Sequence, residues 1–408
     1  MYRRLFRNRN FLALWIGQMI SFVGDYFVML AVPIAINRLT GSAMMVGLSF
    51  IAAAIPALLL GPVAGVFIDR WDRRKVMIIS DGMRALLVLL MLLVRSADQV
   101  WIFYLANFLV ACTSQFFMPA RNAVLPLVVA DRDDLLAANG LMQLVGTVGF
   151  LAGPALAGFA IAAWGEAPAF LANSLGYLAS ALAVMTMVVP RTTRSQFPPT
   201  GALGVVLAEL RSGLAFLFGN RSTLGVMVML AVAQLGIGAF IVVWVPFLQR
   251  YFNQGAQGVG LVDSSFGAGM LLGGLLLGWF ARRVRMTPLA AVGMLVMGFI
   301  SLPIGYLPTF FLVIVVNVLF GIAWVPVQSA LTTIMQLAVP DLMRGKVSSS
   351  LNAVVTVGGL LSMGLASFAG EAIGLRNIFV VVGAMIIISG LLGFALLREP
   401  AAEAPAAD

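Results

Sequence analysis

The sequence has no histidine, a single cysteine (Cys112), and only 10% charged residues across 408 positions. Without histidine, the commonest general base and the commonest metal ligand are both gone. One cysteine excludes an intrachain disulfide framework and a thiolate metal cluster. No Gly-x-x-x-x-Gly-Lys-Ser/Thr run occurs, so there is no P-loop for ATP. An enzyme embedded in a membrane would gather His, Asp or Cys near one face, and no paired carboxylates stand at motif spacing here. The expectation is therefore no metal, no cofactor and no enzymatic activity. A soluble chain would carry about 25% charged residues. The shortage points to a chain for which lipid is part of the solvent.

What fills the sequence instead is apolar: 61% of the residues are hydrophobic. A membrane-crossing helix needs about 20 mostly apolar residues. Runs of that kind cover 11–37, 43–68, 75–95, 100–121, 138–163 and 167–189, then 224–248, 256–280, 287–306, 309–334, 346–370 and 377–397. The fold class expected is an all-α membrane protein of twelve transmembrane helices in two six-helix pseudo-repeat bundles. The first apolar run is too long for a signal-peptide core and lacks a small-residue cleavage site, so it reads as a retained span. A polar, proline-bearing stretch follows the sixth run and leads into an amphipathic segment, Val205 to Phe218. The domains predicted are 1–190, an N-terminal six-helix bundle; 191–221, a cytoplasmic linker with an amphipathic helix; 222–400, a C-terminal six-helix bundle; and 401–408, a disordered tail.

The net charge of +9 suggests nucleic acid only until the positions are read. The basic residues sit in short turns between apolar runs, which is how membrane topology is written. With the N-terminus inside, twenty of the 25 Lys and Arg fall on the cytoplasmic side and four, Arg38, Arg95, Arg250 and Arg376, on the other; Arg84 lies within a span. Both termini are thus expected in the cytoplasm. The halves also echo each other. Pro119-Ala-Arg-Asn-Ala, read as the end of span four, matches Pro326-Val-Gln-Ser-Ala at the end of span ten. Gly146-Thr-Val-Gly matches Val355-Thr-Val-Gly, and Phe6-Arg-Asn-Arg matches Phe218-Gly-Asn-Arg. A two-fold repeat with substrate held between halves is a common transporter plan.

Spans two and three are joined by Gly65-Val-Phe-Ile-Asp69-Arg70-Trp-Asp72-Arg73-Arg74-Lys75. Gly65 admits a neighbouring helix, Asp69 can accept hydrogen bonds or face a helix N-terminus, and the basic cluster anchors the turn. This loop resembles the signature Gly-x-x-x-Asp-Arg-x-x-Arg-Arg of the major facilitator superfamily. The resemblance implies a gate formed by Gly65, Asp69, Arg70, Arg73 and Arg74 that docks on span eleven, where Ser348-Ser-Ser would serve as a helix cap. A second stretch, Gly149-Phe-Leu-Ala-Gly153-Pro154-Ala-Leu-Ala-Gly158, clears one side of span five for close packing and bends it. It is similar to the superfamily's antiporter motif, which implies export, with Ala157 replacing a glycine of the usual closing pair. Met118-Pro-Ala-Arg-Asn-Ala-Val-Leu-Pro and Leu135-Leu-Ala-Ala-Asn139-Gly resemble the branch holding macrolide-efflux proteins and enterobactin-type siderophore exporters. Many proton-coupled exporters of this kind carry an arginine within span four; Asn107 stands nearest that position here.

Charged groups within spans are costly and mark functional sites by default. Asp25, about 22 Å along span one and preceded by Gln18, ranks first as proton carrier or cationic-substrate ligand. Asp81 and Arg84 share a face of span three at i, i+3, which suits a structural ion pair, extended to Asp69, better than substrate contact. Asp263 in span eight is intramembrane or near the outer mouth. Gln143, Gln234, Trp244, Asn317, Trp324 and Gln328 are candidates for lining a central cavity, although packing or interfacial anchoring explains each as well.

The function expected is proton-coupled efflux of amphipathic or bulky small molecules, macrolide-like drugs or siderophores, by alternating access. The expected partners are such a substrate, protons and the lipid bilayer, with no nucleic acid and a monomeric state. The location implied is a bacterial inner membrane. A lysophospholipid flippase or nutrient importer on the same fold, and a non-transporting receptor or scaffold, are the competing readings.

Overall fold

The computed structural model describes residues 2–68, 70–129, 131–190, 202–280 and 284–397. Fourteen α-helices occur among them. They are α1 (Tyr2–Leu5), α2 (Arg9–Thr40), α3 (Ala43–Ile68), α4 (Arg73–Leu89), α5 (Trp101–Val128), α6 (Arg132–Trp164), α7 (Glu166–Thr186), α8 (Ala202–Gly219), α9 (Arg221–Phe252), α10 (Ala256–Phe280), α11 (Met286–Ser301), α12 (Phe310–Ala338), α13 (Arg344–Ala372) and α14 (Leu375–Leu396). Twelve helical segments are long and apolar enough to cross a membrane, each corresponding to one of the apolar runs. The chain divides into two compact units: Met1–Leu203 with Trp244–Gly267, and Gly204–Val243 with Ala268–Asp408.

In the first unit the helices alternate in direction. At one end Asn8 donates to the Val128 carbonyl, Arg4 pairs with Asp131 (3.1 Å) and Asp134 (2.5 Å), and Arg74 donates to the Val184 carbonyl. That end therefore gathers the starts of α2, α4 and α6 and the ends of α5 and α7. At the other end Arg38 at the close of α2 pairs with Glu166 at the start of α7. Leu5, Phe11, Leu14, Met77, Phe117 and Leu141 belong to the core beneath the first end.

Several helices outrun their apolar stretches. Span five was expected from 138, but α6 starts at Arg132, because Asp131 accepts hydrogen bonds from the N–H groups of Asp133 (2.9 Å) and Asp134 (3.4 Å) and caps it. Those two N–H groups hold the Asp131 carboxyl below the usual carboxylate range, with Arg4 adding a smaller pull. Pro119 and Pro326 do not end their spans: α5 continues to Val128 and α12 to Ala338, with the prolines inside. Transmembrane helices tolerate internal proline because neighbours satisfy the freed backbone groups.

The Asn-Arg echo is structural. Asn8 accepts from the N–H groups of Asn10 and Phe11, and Asn220 accepts from those of Ser222 and Thr223, so each asparagine caps the first long helix of its half. In the second unit, α8 is packed rather than loose. Leu217 is fully buried with Met227, Val339 and Val347, and Ser350 donates to the Leu210 carbonyl at 3.0 Å. Within the segment read as a linker with an amphipathic helix, α8 is thus seated on α13. Ser348-Ser-Ser does not cap α13, which begins at Arg344; Ser350 instead lies nearly two turns in, against α8.

Candidate functional site

Three helices of the first unit bring four charged or phenolic groups together. The Tyr177 hydroxyl on α7 donates to Asp25 Oδ1 on α2 at 2.5 Å, and Asn173 Nδ2, one turn earlier on α7, donates to the same oxygen at 3.2 Å. The other face of this arrangement is Arg84 on α4. Its guanidinium lies 4.5 Å from the centre of the Tyr177 ring and 4.3 Å from that of Phe117, so it stands between two aromatic faces. Arg84 also pairs with Asp81, which is wholly buried. Asp81 Oδ2 and Arg84 Nε are buried and have no hydrogen-bond partner among the described residues. The cluster holds two carboxyl groups and one guanidinium. Asp69, the further partner expected for this pair, lies outside the described residues.

Asp25 is half-buried and lines a cavity of about 290 Å³. Asn107, Ser114 and Gln115 of α5 line it too, with Asn173 and Tyr177. Asn107, at the place where span four of many exporters carries arginine, therefore shares a cavity with Asp25, and Arg84 from α4 is the cation within electrostatic range of that carboxyl.

Gln18 does not join this group. It is buried, and its Oε1 accepts from Arg121 Nη1 at 3.3 Å. Arg121 counted as a cytoplasmic anchor on sequence; because α5 continues to Val128, it is half-buried within the helix. Asp263 sits about 10 Å into α10, half-buried, and accepts from Trp244 Nε1 at 2.8 Å. Trp244 is thus a buried partner of a carboxylate. Asn317 is buried in α12, and Gln143 is exposed on α6.

The glycines of α6 make room for aromatic rings and for backbone. A Cβ at Gly153 would stand 2.3 Å from the Tyr26 ring, and one at Gly149 2.6 Å from Phe22. At Gly158 a Cβ would meet the Ala256 carbonyl oxygen at 2.5 Å, where α10 crosses with Gly260. Beside Pro154, the Ala155 N–H donates to Ser264 Oγ at 2.9 Å. In the α3–α4 turn, Asp72 caps α4 by accepting from the Lys75 N–H at 3.1 Å. Arg73 reaches the Ala123 carbonyl, and Arg74 binds the Val184 and Met185 carbonyls, placing a cation at the end of α7. Gly65 lies in α3, and Arg70 is half-buried in the turn.

The second unit contains a larger cavity, about 660 Å³, between α9, α11, α12 and α13. Gln234, Trp324 and Gln328, three of the residues expected to line a cavity, meet there with Thr332, Ser348 and Asn352. Sequence reasoning missed Tyr177, Asn173 and Arg121. Polar residues at i and i+4 in α7 were the available signal for the first two.

Twelve membrane-length helices, with charged and amide side chains turned inward, make this an integral multi-pass membrane protein of transporter type. The family model described as Major Facilitator Superfamily matches residues 14–362 and 226–408, and the chain belongs to that family. It is a transporter and not an enzyme. Macrolide efflux protein A of Streptococcus pyogenes is 28% identical over 387 residues, covering 93% of each chain. The Enterococcus faecalis protein of that name is 30% identical, over 72% of this chain and 90% of its own. Multidrug efflux pump Tap of Mycobacterium bovis is 27% identical over 96% of both. Among solved structures, a bacterial homologue of the lysosomal transporter Spinster superposes with a TM-score of 0.75 at 16% identity, covering 98% of this chain and 99% of that one. A bacterial homologue of ferroportin also gives 0.75, at 14% identity, over 95% of this chain and 98% of its own. These two share the fold.

Proposed function

We propose that the chain is a proton-coupled exporter of bulky amphipathic small molecules, working as a monomer in a bacterial inner membrane with both termini in the cytoplasm. The observation that carries the reading is Asp25: a carboxyl inside a span, open to a cavity, held by Tyr177 and Asn173 and close to Arg84. A group that must take and release a proton needs solvent access and fixed partners, and this one has both. Arg84 supplies the cation that Asn107 does not, from α4 instead of α5. The efflux names carried by relatives over nearly the whole chain support the direction. The glycine packing of α6 against Tyr26 and α10 suits the antiporter-like motif, and Gly65, Asp69, Arg70, Arg73 and Arg74 carry the signature of the cytoplasmic gate.

The reading is tested in proteoliposomes loaded with a fluorescent dye or a macrolide. An imposed pH gradient should drive transport by the wild type, and Asp25→Asn should abolish that drive. Equal, gradient-independent transport by the variant would remove the proton role.

A further inference from the structure

The two units differ in the charge they place inside the membrane. The first holds Asp25, Asp81 and Arg84. In the second, α11 and α12 contain no Asp, Glu, Lys or Arg at all. The cavity of about 660 Å³ in that unit falls within the range of roughly 300–1,000 Å³ typical of small-molecule sites. Its polar groups are Gln234, Gln328, Thr332, Gln336, Ser348 and Asn352, set among Leu230, Ile237 and Met294, with the Trp324 indole in the wall. Among the described residues, none of those six side chains is engaged in an intraprotein hydrogen bond. Amide and hydroxyl groups both donate and accept.

The one charged lining residue is Arg344. It pairs with Asp341 at 2.7 Å and donates to the Gln336 carbonyl at 3.1 Å, so an anionic ligand would compete with Asp341 for it. An ammonium group would meet no carboxylate among the lining residues, and an uncompensated charge is expensive there. Uncharged hydroxyl and carbonyl groups meet neither obstacle.

Resting on the exporter reading above, we infer that the second unit's cavity binds the uncharged, hydroxyl- and carbonyl-rich part of an amphipathic substrate. Substrate charge is then not read in this cavity, and the carboxylates of the first unit remain free for protons.

The test is tryptophan-fluorescence titration of the full chain in lipid nanodiscs with two probes, erythromycin, which carries an amino sugar, and its uncharged aglycone. Both should bind saturably, the aglycone within about tenfold of the parent. Gln328→Leu and Asn352→Leu should each weaken aglycone binding about tenfold, the equivalent of one lost hydrogen bond in a dry site. Gln328→Glu keeps the shape and adds a carboxylate, so it should shift preference toward erythromycin by tenfold or more. Binding of erythromycin with no binding of the aglycone overturns the inference, as do cavity variants that match the wild type. Binding of neither probe to the wild type overturns the exporter reading together with the inference.

Discussion

Replacing Arg84 with methionine tests how the charged cluster is held. The change keeps an unbranched apolar stem but removes the guanidinium from between Phe117 and Tyr177 and from its pair with Asp81. Asp81 has no exposed surface, so its charge would be stranded. Breaking a buried pair from one side costs about 3–5 kcal/mol. Loss of the two ring faces is of the order of 0.5–2 kcal/mol each. The double variant Asp81→Leu/Arg84→Met removes both charges, and such replacements are commonly neutral or stabilising by about 1–4 kcal/mol. Arg84→Lys should fall between wild type and Arg84→Met, because an ammonium keeps the charge but not the planar stack. Thermal unfolding in detergent, followed by size-exclusion chromatography, ranks the four proteins. The expected order of stability is wild type close to the double variant, then Arg84→Lys, then Arg84→Met. A single Arg84→Met variant as stable as wild type, or a double variant no better than the single, would refute this account of the cluster.

Two further outcomes follow from close contacts elsewhere. Gly158→Ala should destabilise more than Gly153→Ala, because the first meets backbone at Ala256 and the second a side chain, Tyr26; overpacking of this kind typically costs about 1–3 kcal/mol, read as a fall in unfolding temperature. Asn220→Ala should cost about 1 kcal/mol by removing the cap of α9, and Asn8→Ala should cost more in the same unfolding experiments, because it loses its bond to the Val128 carbonyl as well as the cap of α2.

The sequence made the helices legible because a bilayer demands long apolar runs and the turns between them carry the arginines. Helix ends were less legible. A polar cap such as Asp131 extends α6 beyond its apolar stretch, and Pro119 leaves α5 unbroken, which moved Arg121 from an anchor to a half-buried partner of Gln18. The Asp81–Arg84 pair was readable because i, i+3 spacing fixes it within one helix. The groups around Asp25 were not, since Tyr177 and Asn173 lie 152 and 148 residues away, and only packing of α7 on α2 brings them close. The same holds for Ser350, whose partner Leu210 lies on α8 rather than within its own helix terminus. Of the residues proposed for a cavity, Gln234, Trp324 and Gln328 converge because α9 and α12 face each other across the second unit's cavity, whereas Trp244 is taken up by Asp263.

Proton release on substrate binding tests the central claim most directly. In weakly buffered detergent solution, addition of saturating macrolide to wild-type protein should release protons, detected with a pH-sensitive dye, as the substrate displaces a proton bound at Asp25. The Asp25→Asn protein should bind the same macrolide and release none. Proton release of equal size from both proteins would contradict the assignment of Asp25 as the coupling group.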